Sequence, residues 1–171
     1  MALLDVPFDT FVTVMKGGDM PTPALLDPQK DHTLVLVKPD GFRRGLTGNI
    51  LSRIEAKGYV LKGLKIKRAS EDLLAQHYIE HVDRPFYPDM VEYMTSGPVV
   101  AVVVEGDRVV EGIRAMIGAT NPAVAQPGTI RGDWGRDWGT GQIENIVHAS
   151  DSDTSATREI ALWFPELQYL D

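Results

Sequence analysis

The chain of 171 residues contains no cysteine. This absence excludes disulfides, thiolate nucleophiles and thiolate-bound metals. Long apolar runs are also missing, and no stretch approaches the roughly 20 residues that a membrane-spanning helix needs. The first residues include Asp5 and Asp9, where a secretory signal would carry positive charge and an apolar core. We therefore expect a cytoplasmic protein that does not enter a membrane.

Positive charge is scarce as well, because 17 Lys and Arg stand against 24 Asp and Glu, for a net charge of −7. Broad binding to nucleic acid is disfavoured, since it requires clustered basic side chains. A small basic pocket for a bound phosphate is compatible with this balance. The Walker A pattern and the dinucleotide-binding glycine pattern are both missing. If the protein handles nucleotides, it does so by another kind of site.

Residues 1–31 differ from the remainder of the chain. They contain a glycine pair and the prolines Pro21, Pro23 and Pro28 close together, and they show no sustained helical or strand period. We interpret them as an N-terminal extension, partly ordered or arm-like. The domain is predicted to span residues 32–171.

From His32 onward, apolar strand-like segments alternate with helical spacing. The predicted strands are 32–38, 59–68 and 98–106, with a short edge strand at Ile146-Val147. Their order predicts an α+β fold, an antiparallel ferredoxin-like βαββαβ sheet with additional helices. Residues 119–144 lack a clear period, and a loop of this length in a compact domain is usually functional.

The stretch NIVHASDS, residues 145–152, carries His148 just after the predicted edge strand. Ser150 follows closely, and Glu159 lies on the adjoining predicted helix. A hydroxyl or carboxylate near one ring nitrogen can fix the tautomer and leave the other nitrogen free to attack phosphorus. Taken alone, a loop histidine is more often inert, so the residue by itself leaves both interpretations open.

Other candidate ligand-binding residues are scattered singly along the chain. Each basic one is more often a solvated surface residue, and each aromatic one more often packs in a core. Phe86 is the weakest candidate for a core residue, because it lies between Pro85 and Tyr87-Pro88, in a predicted loop or helix start where an exposed ring could stack on a base. The candidates are Lys38, Tyr78, Phe86, Arg114, Thr120 and Arg131.

Six segments taken together resemble the nucleoside diphosphate kinase family. They follow one another in the family's order and cover roughly residues 32–165, which chance does not produce. The segments are VKPDGFRRGLTG (37–48), HYIEHVDRPFY (77–87), MTSGPVVAVVVEG (94–106), GATNP (118–122), PGTIRGD (127–133) and NIVHASDS (145–152).

The resemblance implies an enzyme that moves the terminal phosphate of a nucleoside triphosphate, typically ATP, to a nucleoside diphosphate. The family's ping-pong mechanism passes through a phosphohistidine, which would be His148. Magnesium would be carried on the nucleotide phosphates, with no metal ligand predicted in the chain. The partners implied are nucleoside di- and triphosphates, with neither nucleic acid nor membrane, and a homo-oligomer, hexamer or tetramer.

The resemblance also implies a role for each candidate residue. Phe86 would stack on the base, and Ser150 and Glu159 would steady the ring of His148. The remaining residues would surround the phosphates and the sugar: Lys38, Tyr78, Arg114, Thr120, Arg131 and Asn145. The predicted catalytic set is His148, Lys38, Glu159 and Ser150.

Two alternatives and one departure accompany this interpretation. A silent relative acting as an interaction or nucleotide-sensing module is disfavoured, because it need not keep His148 and Lys38. An RNA-binding ferredoxin-like domain would show aromatic and basic residues on an open sheet face, whereas these strands are aliphatic. The segment 134–144 is longer than the family normally has, and Glu144 stands where relatives commonly carry a basic residue. The insertion could narrow the nucleotide mouth or extend an interface, and we favour the interface.

Overall fold

Residues 25–139 and 143–169 are described by a computed structural model, in which strands and helices alternate along the chain. The strands are β1 (Leu25–Leu26), β2 (His32–Val37), β3 (Val60–Lys67), β4 (Val99–Glu105), β5 (Arg136–Asp137), β6 (Ile143–Glu144), β7 (Val147–Ala149) and β8 (Gln168–Tyr169). The helices are α1 (Pro39–Arg43), α2 (Thr47–Ala56), α3 (Glu71–His77), α4 (Tyr87–Thr95), α5 (Val109–Ile117), α6 (Ile130–Trp134) and α7 (Asp153–Trp163). Short 3-10 turns lie at Ile79–His81 and Pro122–Val124.

The central sheet has the strand order β3-β4-β2-β7, and every neighbouring pair is antiparallel. β2 and β3 therefore run parallel to each other with β4 between them, and α2 connects them. This is the ferredoxin-like βαββαβ order, so the predicted fold class is confirmed. The predicted edge strand is also present, as β7, which begins at Val147.

Both faces of this sheet are covered. In β2, Val35 and Val37 pack in the cluster formed with α2 and α5, whereas Leu34 and Leu36 pack in the cluster formed with α3, α4 and α7. Strands buried on both faces tend to be continuously apolar instead of alternating, as residues 34–37 of β2 and 99–104 of β4 are. Within the described residues, the open sheet face that an RNA-binding domain would use is covered by helices.

Side-chain caps fix where the site-bearing helices begin. Ser70 accepts a hydrogen bond from the backbone N–H of Leu73 at the start of α3, as its sequence context predicts. At the start of α7, Ser152 and Ser155 form a reciprocal capping box. Glu159 lies about two turns into α7 and is buried, so the cap anchors the helix that presents this carboxylate.

The chain ends of the described domain lie side by side. β1 pairs in parallel with β8, and Leu26 is fully buried in the cluster that contains Trp163. The last residues of the predicted extension thus pack on the domain, while residues 1–24 lie outside the described part of the chain. The predicted boundary at residue 32 stays a prediction.

Candidate active site

One pocket of about 680 Å³ is lined by side chains from several helices, strands and loops, from Lys38 near the start of the domain to Glu159 near its end. All the residues proposed from the sequence line it, apart from Ser150, which is fully buried beside it. The lining members of that set are Lys38, Tyr78, Phe86, Arg114, Thr120, Arg131, Asn145, His148 and Glu159.

His148 reaches this pocket because of strand alternation in β7. Val147 and Ala149 point into the core, so His148 points to the opposite face. Its Nε2 lies 3.1 Å from Oε2 of Glu159. Its Nδ1 has no hydrogen-bond partner among residues 25–139 and 143–169. The ring therefore offers one engaged and one available nitrogen.

The buried side chain of Ser150 holds the carboxylate of Glu159 in place. Its hydroxyl donates to the same Oε2 of Glu159 at 2.7 Å and accepts from the backbone N–H of Leu34 at 3.2 Å. Glu159 is thus tied to the central strand β2 through one buried hydroxyl. This arrangement fixes the oxygen that faces His148.

The amino group of Lys38 forms part of the pocket wall. Its Nζ donates to Oδ1 of Asn145 at 2.7 Å, and Nδ2 of Asn145 donates to the carbonyl of Thr120 at 3.0 Å. Burial, with the charge of Arg131 adding to it, lowers the pKa of Lys38 to about 8. Lys38 is therefore a largely charged but weakly hydrated cation at neutral pH.

The guanidinium of Arg131 is held by backbone carbonyls. Nη1 donates to Gly118 and Nη2 to Val147, both at 2.8 Å. Burial, followed by the charge of Arg114, lowers the pKa of Arg131 to about 10, which still leaves it charged at neutral pH. Because both contacts go to neutral carbonyls, its charge is not cancelled by a carboxylate in the described chain.

Most of the buried side-chain polar atoms that have no partner within residues 25–139 and 143–169 belong to residues that line this pocket. They include Nε of Arg131, the hydroxyl of Tyr78, Nε2 of His77 and Nδ1 of His81. Burial raises the pKa of Tyr78, so its hydroxyl remains a proton donor. An unpaired buried polar group costs about 1–3 kcal/mol. Such a set of donors beside two cations fits an anionic ligand rich in acceptor oxygens.

The turn before β7 has an unusual backbone conformation. Ile146 adopts a positive φ of 66°, an outlier for a β-branched residue, and its side chain is fully buried. Its carbonyl accepts a hydrogen bond of 2.7 Å from the backbone N–H of Lys38. The backbone that carries His148 is thereby joined to the residue that supplies a cation.

A family model described as nucleoside diphosphate kinase matches residues 31–169 of this chain. The chain is 53% identical over 142 residues to nucleoside diphosphate kinase A1 of Xenopus laevis, covering 83% of this chain and 90% of that protein. It is 55% identical over 135 residues to the nucleoside diphosphate kinase of Streptomyces avermitilis, covering 78% of this chain and 96% of the relative. The chain belongs to the nucleoside diphosphate kinase family.

Solved structures agree with this assignment. The halophilic nucleoside diphosphate kinase of Halobacterium salinarum, solved in complex with CDP, is 46% identical, with a TM-score of 0.75 over 80% of this chain and 88% of that one. The apo enzyme of Encephalitozoon cuniculi is 40% identical, with a TM-score of 0.74 over 78% of this chain and 88% of that one. The resemblance inferred from the sequence motifs is confirmed, and membership of the family makes the chain a phosphotransferase.

Three side chains of this nucleoside diphosphate kinase fold approach a metal-binding arrangement. One ligand atom each from His77, His148 and Glu159 lies within 4.8 Å of the others, and two imidazoles with a carboxylate can bind zinc. However, Trp163 can only donate, and its Nε1 donates to Nδ1 of His77 at 3.2 Å. Burial, and next the charge of His148, lowers the pKa of His77 to about 2, so the ring is neutral. Its single proton then lies on Nε2, and this tautomer cannot ligate a metal through that nitrogen.

Sequence reasoning missed three residues that shape the family site. His77 lies on the buried face of α3. Asp40 is fully buried and accepts a hydrogen bond from the hydroxyl of Tyr93. The ring centroid of Tyr93 lies 5.5 Å from Nζ of Lys38. Spacing carries no signal for these contacts, because each joins distant parts of the chain.

The segment predicted to be an insertion, residues 134–144, reaches the pocket. β5 and β6 form a short antiparallel pair, while residues 140–142 lie outside the described part of the chain. Ile143 lines the pocket, and Glu144 forms an ion pair of 3.2 Å with the exposed Arg43. The described part of this segment thus touches the pocket, and its role in an interface stays a prediction.

Proposed function

We propose that this family member transfers the γ-phosphate of a nucleoside triphosphate, typically ATP, to a nucleoside diphosphate through phosphorylated His148. The observation that supports this most directly is the division of the imidazole into two roles. Nε2 contacts Glu159, and Nδ1 is unpartnered among the described residues, in a pocket that also contains Lys38 and Arg131. This arrangement suits a ping-pong mechanism, in which the enzyme itself carries the phosphoryl group between two substrates.

In the first half-reaction, the lone pair of Nδ1 attacks the γ-phosphorus. The bond from phosphorus to the bridging oxygen breaks, and its electrons leave with the nucleoside diphosphate. The proton of the ring stays on Nε2, which donates a hydrogen bond to Glu159. The negative charge of Glu159 stabilises the positive charge that develops on the imidazole. In the second half-reaction, a β-phosphate oxygen of the acceptor attacks phosphorus, the N–P bond breaks, and the neutral ring of His148 is restored.

Lys38 and Arg131 would stabilise the phosphoryl group while it is transferred. Phosphoryl transfer spreads negative charge over the non-bridging oxygens, and catalysis depends on fixed charges placed around them. Lys38 is oriented by Asn145, and Arg131 by two carbonyls, so neither needs to reorganise during the reaction. Arg114, Thr120 and Tyr78 line the same pocket, and we assign them contacts to the phosphates and sugar.

Phe86 would hold the base. Its ring lines the pocket and is half exposed, as an empty stacking platform would be. Stacking on one aromatic face accepts any base, which fits an enzyme that uses several nucleoside di- and triphosphates. The Halobacterium salinarum relative was solved in complex with CDP, which supports a nucleotide as the ligand here.

Magnesium would enter on the nucleotide phosphates. Mg²⁺ is commonly held by substrate phosphates and retained waters, and it neutralises charge on the phosphate oxygens when bound. Two of the four carboxylates that line the pocket already have partners, since Glu159 accepts from Ser150, and Asp151 accepts from Ser152 and Ser155. We therefore assign the ion's main ligands to the substrate.

Phosphoryl transfer can be tested with ATP carrying a labelled γ-phosphate. The wild-type protein with magnesium should acquire acid-labile, base-stable label, which should pass to GTP when GDP is added. His148→Ala should lose both steps, whereas His32→Ala should retain them, because His32 lies outside the pocket. Labelling and transfer by His148→Ala at the wild-type rate would refute the assignment. A wild type that binds nucleotide without labelling would favour the silent nucleotide-sensing alternative.

Assembly and location are further parts of this proposal. Val60 and Leu64 expose about half of their surface on the edge strand β3, 54% and 50%, which supports a homo-oligomer, tetramer or hexamer. Light scattering would give the subunit number, and a monomer at micromolar concentration would contradict this part. None of the described helices is long and apolar enough to cross a membrane. A cytoplasmic location stays a prediction.

A further inference from the structure

Asp40 is a buried acidic residue that the mechanism above leaves unused. It lies in the first turn of α1, two residues after Lys38, and is fully buried. Its Oδ1 accepts a hydrogen bond from the hydroxyl of Tyr93, whereas its Oδ2 has no hydrogen-bond partner among the described residues. Burying a carboxylate with one unpaired oxygen is costly, so a positive charge close by is needed to offset the cost.

The ammonium of Lys38 is the cation next to this carboxylate in the chain. Lys38 is itself only 8% exposed. Its Nζ lies 5.5 Å from the ring centroid of Tyr93, which is within the range of a cation–π contact. The hydroxyl of the same ring donates to Asp40. Tyr93 therefore contacts the cation with its ring and the carboxylate with its hydroxyl.

Lys38 and Asp40 nevertheless do not form an ion pair. Nζ of Lys38 donates instead to Oδ1 of Asn145 at 2.7 Å. Within residues 25–139 and 143–169, no carboxylate pairs directly with Lys38. A direct ion pair would compete with phosphate oxygens for the N–H groups of the ammonium. The observed arrangement keeps a negative charge close by and leaves the ammonium open to an anionic ligand.

The groups around Lys38 differ in their effect on its charge. Burial, and next the positive charge of Arg131 on α6, lowers the pKa of Lys38, and the charge of Asp40 opposes both by raising it. The neighbouring rings carry no charge at neutral pH, since burial lowers the pKa of His77 on α3 to about 2 and raises the pKa of Tyr93 on α4. Among the described residues, Asp40 thus favours the ammonium form.

We propose that Asp40 is a positioning residue for Lys38, whose carboxylate, held by Tyr93 and without a direct ion pair, provides the counter-charge that keeps the ammonium protonated and in place before the phosphates bind. The inference rests on the proposed role of Lys38 as a cation facing the phosphates, and it adds the residue that maintains this charge. Asp40 acts through Lys38 and does not need to touch the nucleotide.

Two substitutions separate the charge of Asp40 from its hydrogen bond. Asp40→Asn keeps a carbonyl that can accept from Tyr93 and nearly the same volume, but it removes the negative charge. Tyr93→Phe makes the converse change, because it removes the donor and keeps the carboxylate. Asp83→Asn is the matched control, since Asp83 is exposed, lies outside the pocket and loses the same charge.

The titration of Lys38 is measured directly in each nucleotide-free protein. ¹³C NMR of lysine labelled at Cε reports the pKa, and the signal of Lys38 is identified by its loss in Lys38→Arg. The pH profile of kcat/KM is then recorded for the same proteins, because kcat/KM reports the ionisation of the free enzyme.

The pKa of Lys38 in Asp40→Asn should fall by about one unit from the wild-type value of about 8. Because the ammonium is then lost at lower pH, kcat/KM should stay within about twofold of wild type at pH 6 and be roughly 10-fold lower at pH 9. Asp83→Asn should match the wild type in both measurements. Tyr93→Phe should shift the pKa of Lys38 less than Asp40→Asn does, since the carboxylate remains.

An unchanged pKa of Lys38 in folded Asp40→Asn would overturn the inference. So would a loss of kcat/KM in this variant that is equal at pH 6 and pH 9, because a purely structural defect has no such pH dependence. A larger pKa shift in Tyr93→Phe than in Asp40→Asn would overturn it too, since the hydrogen bond and not the charge would then be decisive.

One measurement on the wild type requires no variant to fold. If the pKa of Lys38 falls by about one unit between low and high salt, the counter-charge comes from exposed carboxylates, which salt screens, and the inference is wrong. A pKa that does not fall with salt supports a buried counter-charge. Absence of any phosphohistidine in the wild type would instead refute the proposed function, while the titration of Lys38 would still be measurable. The two failures are therefore distinguishable.

Discussion

Two histidine–glutamate pairs occupy opposite ends of β2 and its neighbours, and only one of them lies in the pocket. Nε2 of His148 is 3.1 Å from Glu159, and Nε2 of His32 is 3.0 Å from Glu105. The second pair joins residues directly opposite each other on β2 and β4. By distance and by the nitrogen involved, the two pairs are equivalent.

Their surroundings differ. Glu105 also faces the ammonium of Lys62 at 3.4 Å, so its charge is shared with a cation. Glu159 accepts instead from the neutral hydroxyl of Ser150, which leaves its charge for the imidazole. Lys38 and Arg131 line the same pocket as His148, and neither forms an ion pair with Glu159 in the described part of the chain. A histidine–carboxylate contact thus occurs at two places in the described structure, and under the proposed mechanism it is the unshared charge of Glu159, in a pocket that also contains cations, that suits His148 to nucleophilic attack.

Removing the charge of each glutamate tests this difference most strongly. Glu159→Gln should lower kcat on the order of 100-fold, because an amide no longer stabilises a positively charged ring. Glu105→Gln should leave kcat within about twofold in the same assay. Single-turnover labelling by ATP would measure both. Losses of similar size in the two variants would mean that the pairs are functionally alike.

Phe86→Ala should weaken binding of ADP by about 1–3 kcal/mol, roughly 5- to 150-fold in Kd, if the ring stacks on the base. Ile79→Ala is the matched control, because Ile79 is more exposed than Phe86 on the same segment but does not line the pocket. Isothermal titration calorimetry gives both affinities. Unchanged affinity of Phe86→Ala for ADP would show that Phe86 only packs against its neighbours and does not stack on the base.

The pH profile should separate the cationic side of the pocket from the histidine pair. The folded-state pKa of Lys38 is lowered to about 8, so the ammonium is present below that pH and lost above it. We expect kcat/KM to fall as pH rises through about 8, by about tenfold per pH unit beyond it. Lys38→Arg should be slower overall, but without this decline up to pH 10. A wild-type profile flat from pH 7 to 10 would exclude Lys38 as an essential cation.

Ser150→Ala should have the smallest effect on turnover, a few-fold in kcat, because Glu159 keeps its charge. It should still lower the free energy of unfolding by about 1–3 kcal/mol, since the buried N–H of Leu34 loses its acceptor. Ser96→Ala, which removes an exposed hydroxyl bonded to the carbonyl of Tyr93, should cost less than about 0.5 kcal/mol. Urea unfolding measures both, and equal costs would contradict the supporting role of Ser150.

Much of this molecule could be predicted because its strands are strongly patterned. Val and Leu dominate β2 (HTLVLV), Val dominates β4 (VVAVVVE), and residues 109–117 follow helical spacing up to Gly118, so the type and order of these elements could be predicted. The pocket residues could be named because short motifs brought the family resemblance. Single residues such as Arg131 carried no comparable signal on their own.

The features that could not be predicted either show no apolar periodicity or join residues that are far apart in the sequence. The α6 helix has only five residues and is fixed by Thr129, which accepts from the backbone N–H of Gly132, so no apolar stripe marks it. The contact between Trp163 and His77 joins residues 86 positions apart. Which nitrogen of a histidine bears a proton depends on such a contact, and no spacing rule contains that information.

The positive φ at Ile146 affects how the segments that carry Lys38 and His148 are connected. Gly41 lies against it so closely that a Cβ there would come within 2.8 Å of Cγ2 of Ile146, so this glycine provides clearance and need not touch a ligand. The hydrogen bond from the backbone N–H of Lys38 to the carbonyl of Ile146 then joins the start of α1 to the residue that precedes β7. Under the proposed mechanism, this backbone hydrogen bond joins the residue that would hold the phosphate to the segment that carries the attacking histidine, so a shift of either segment is transmitted to the other.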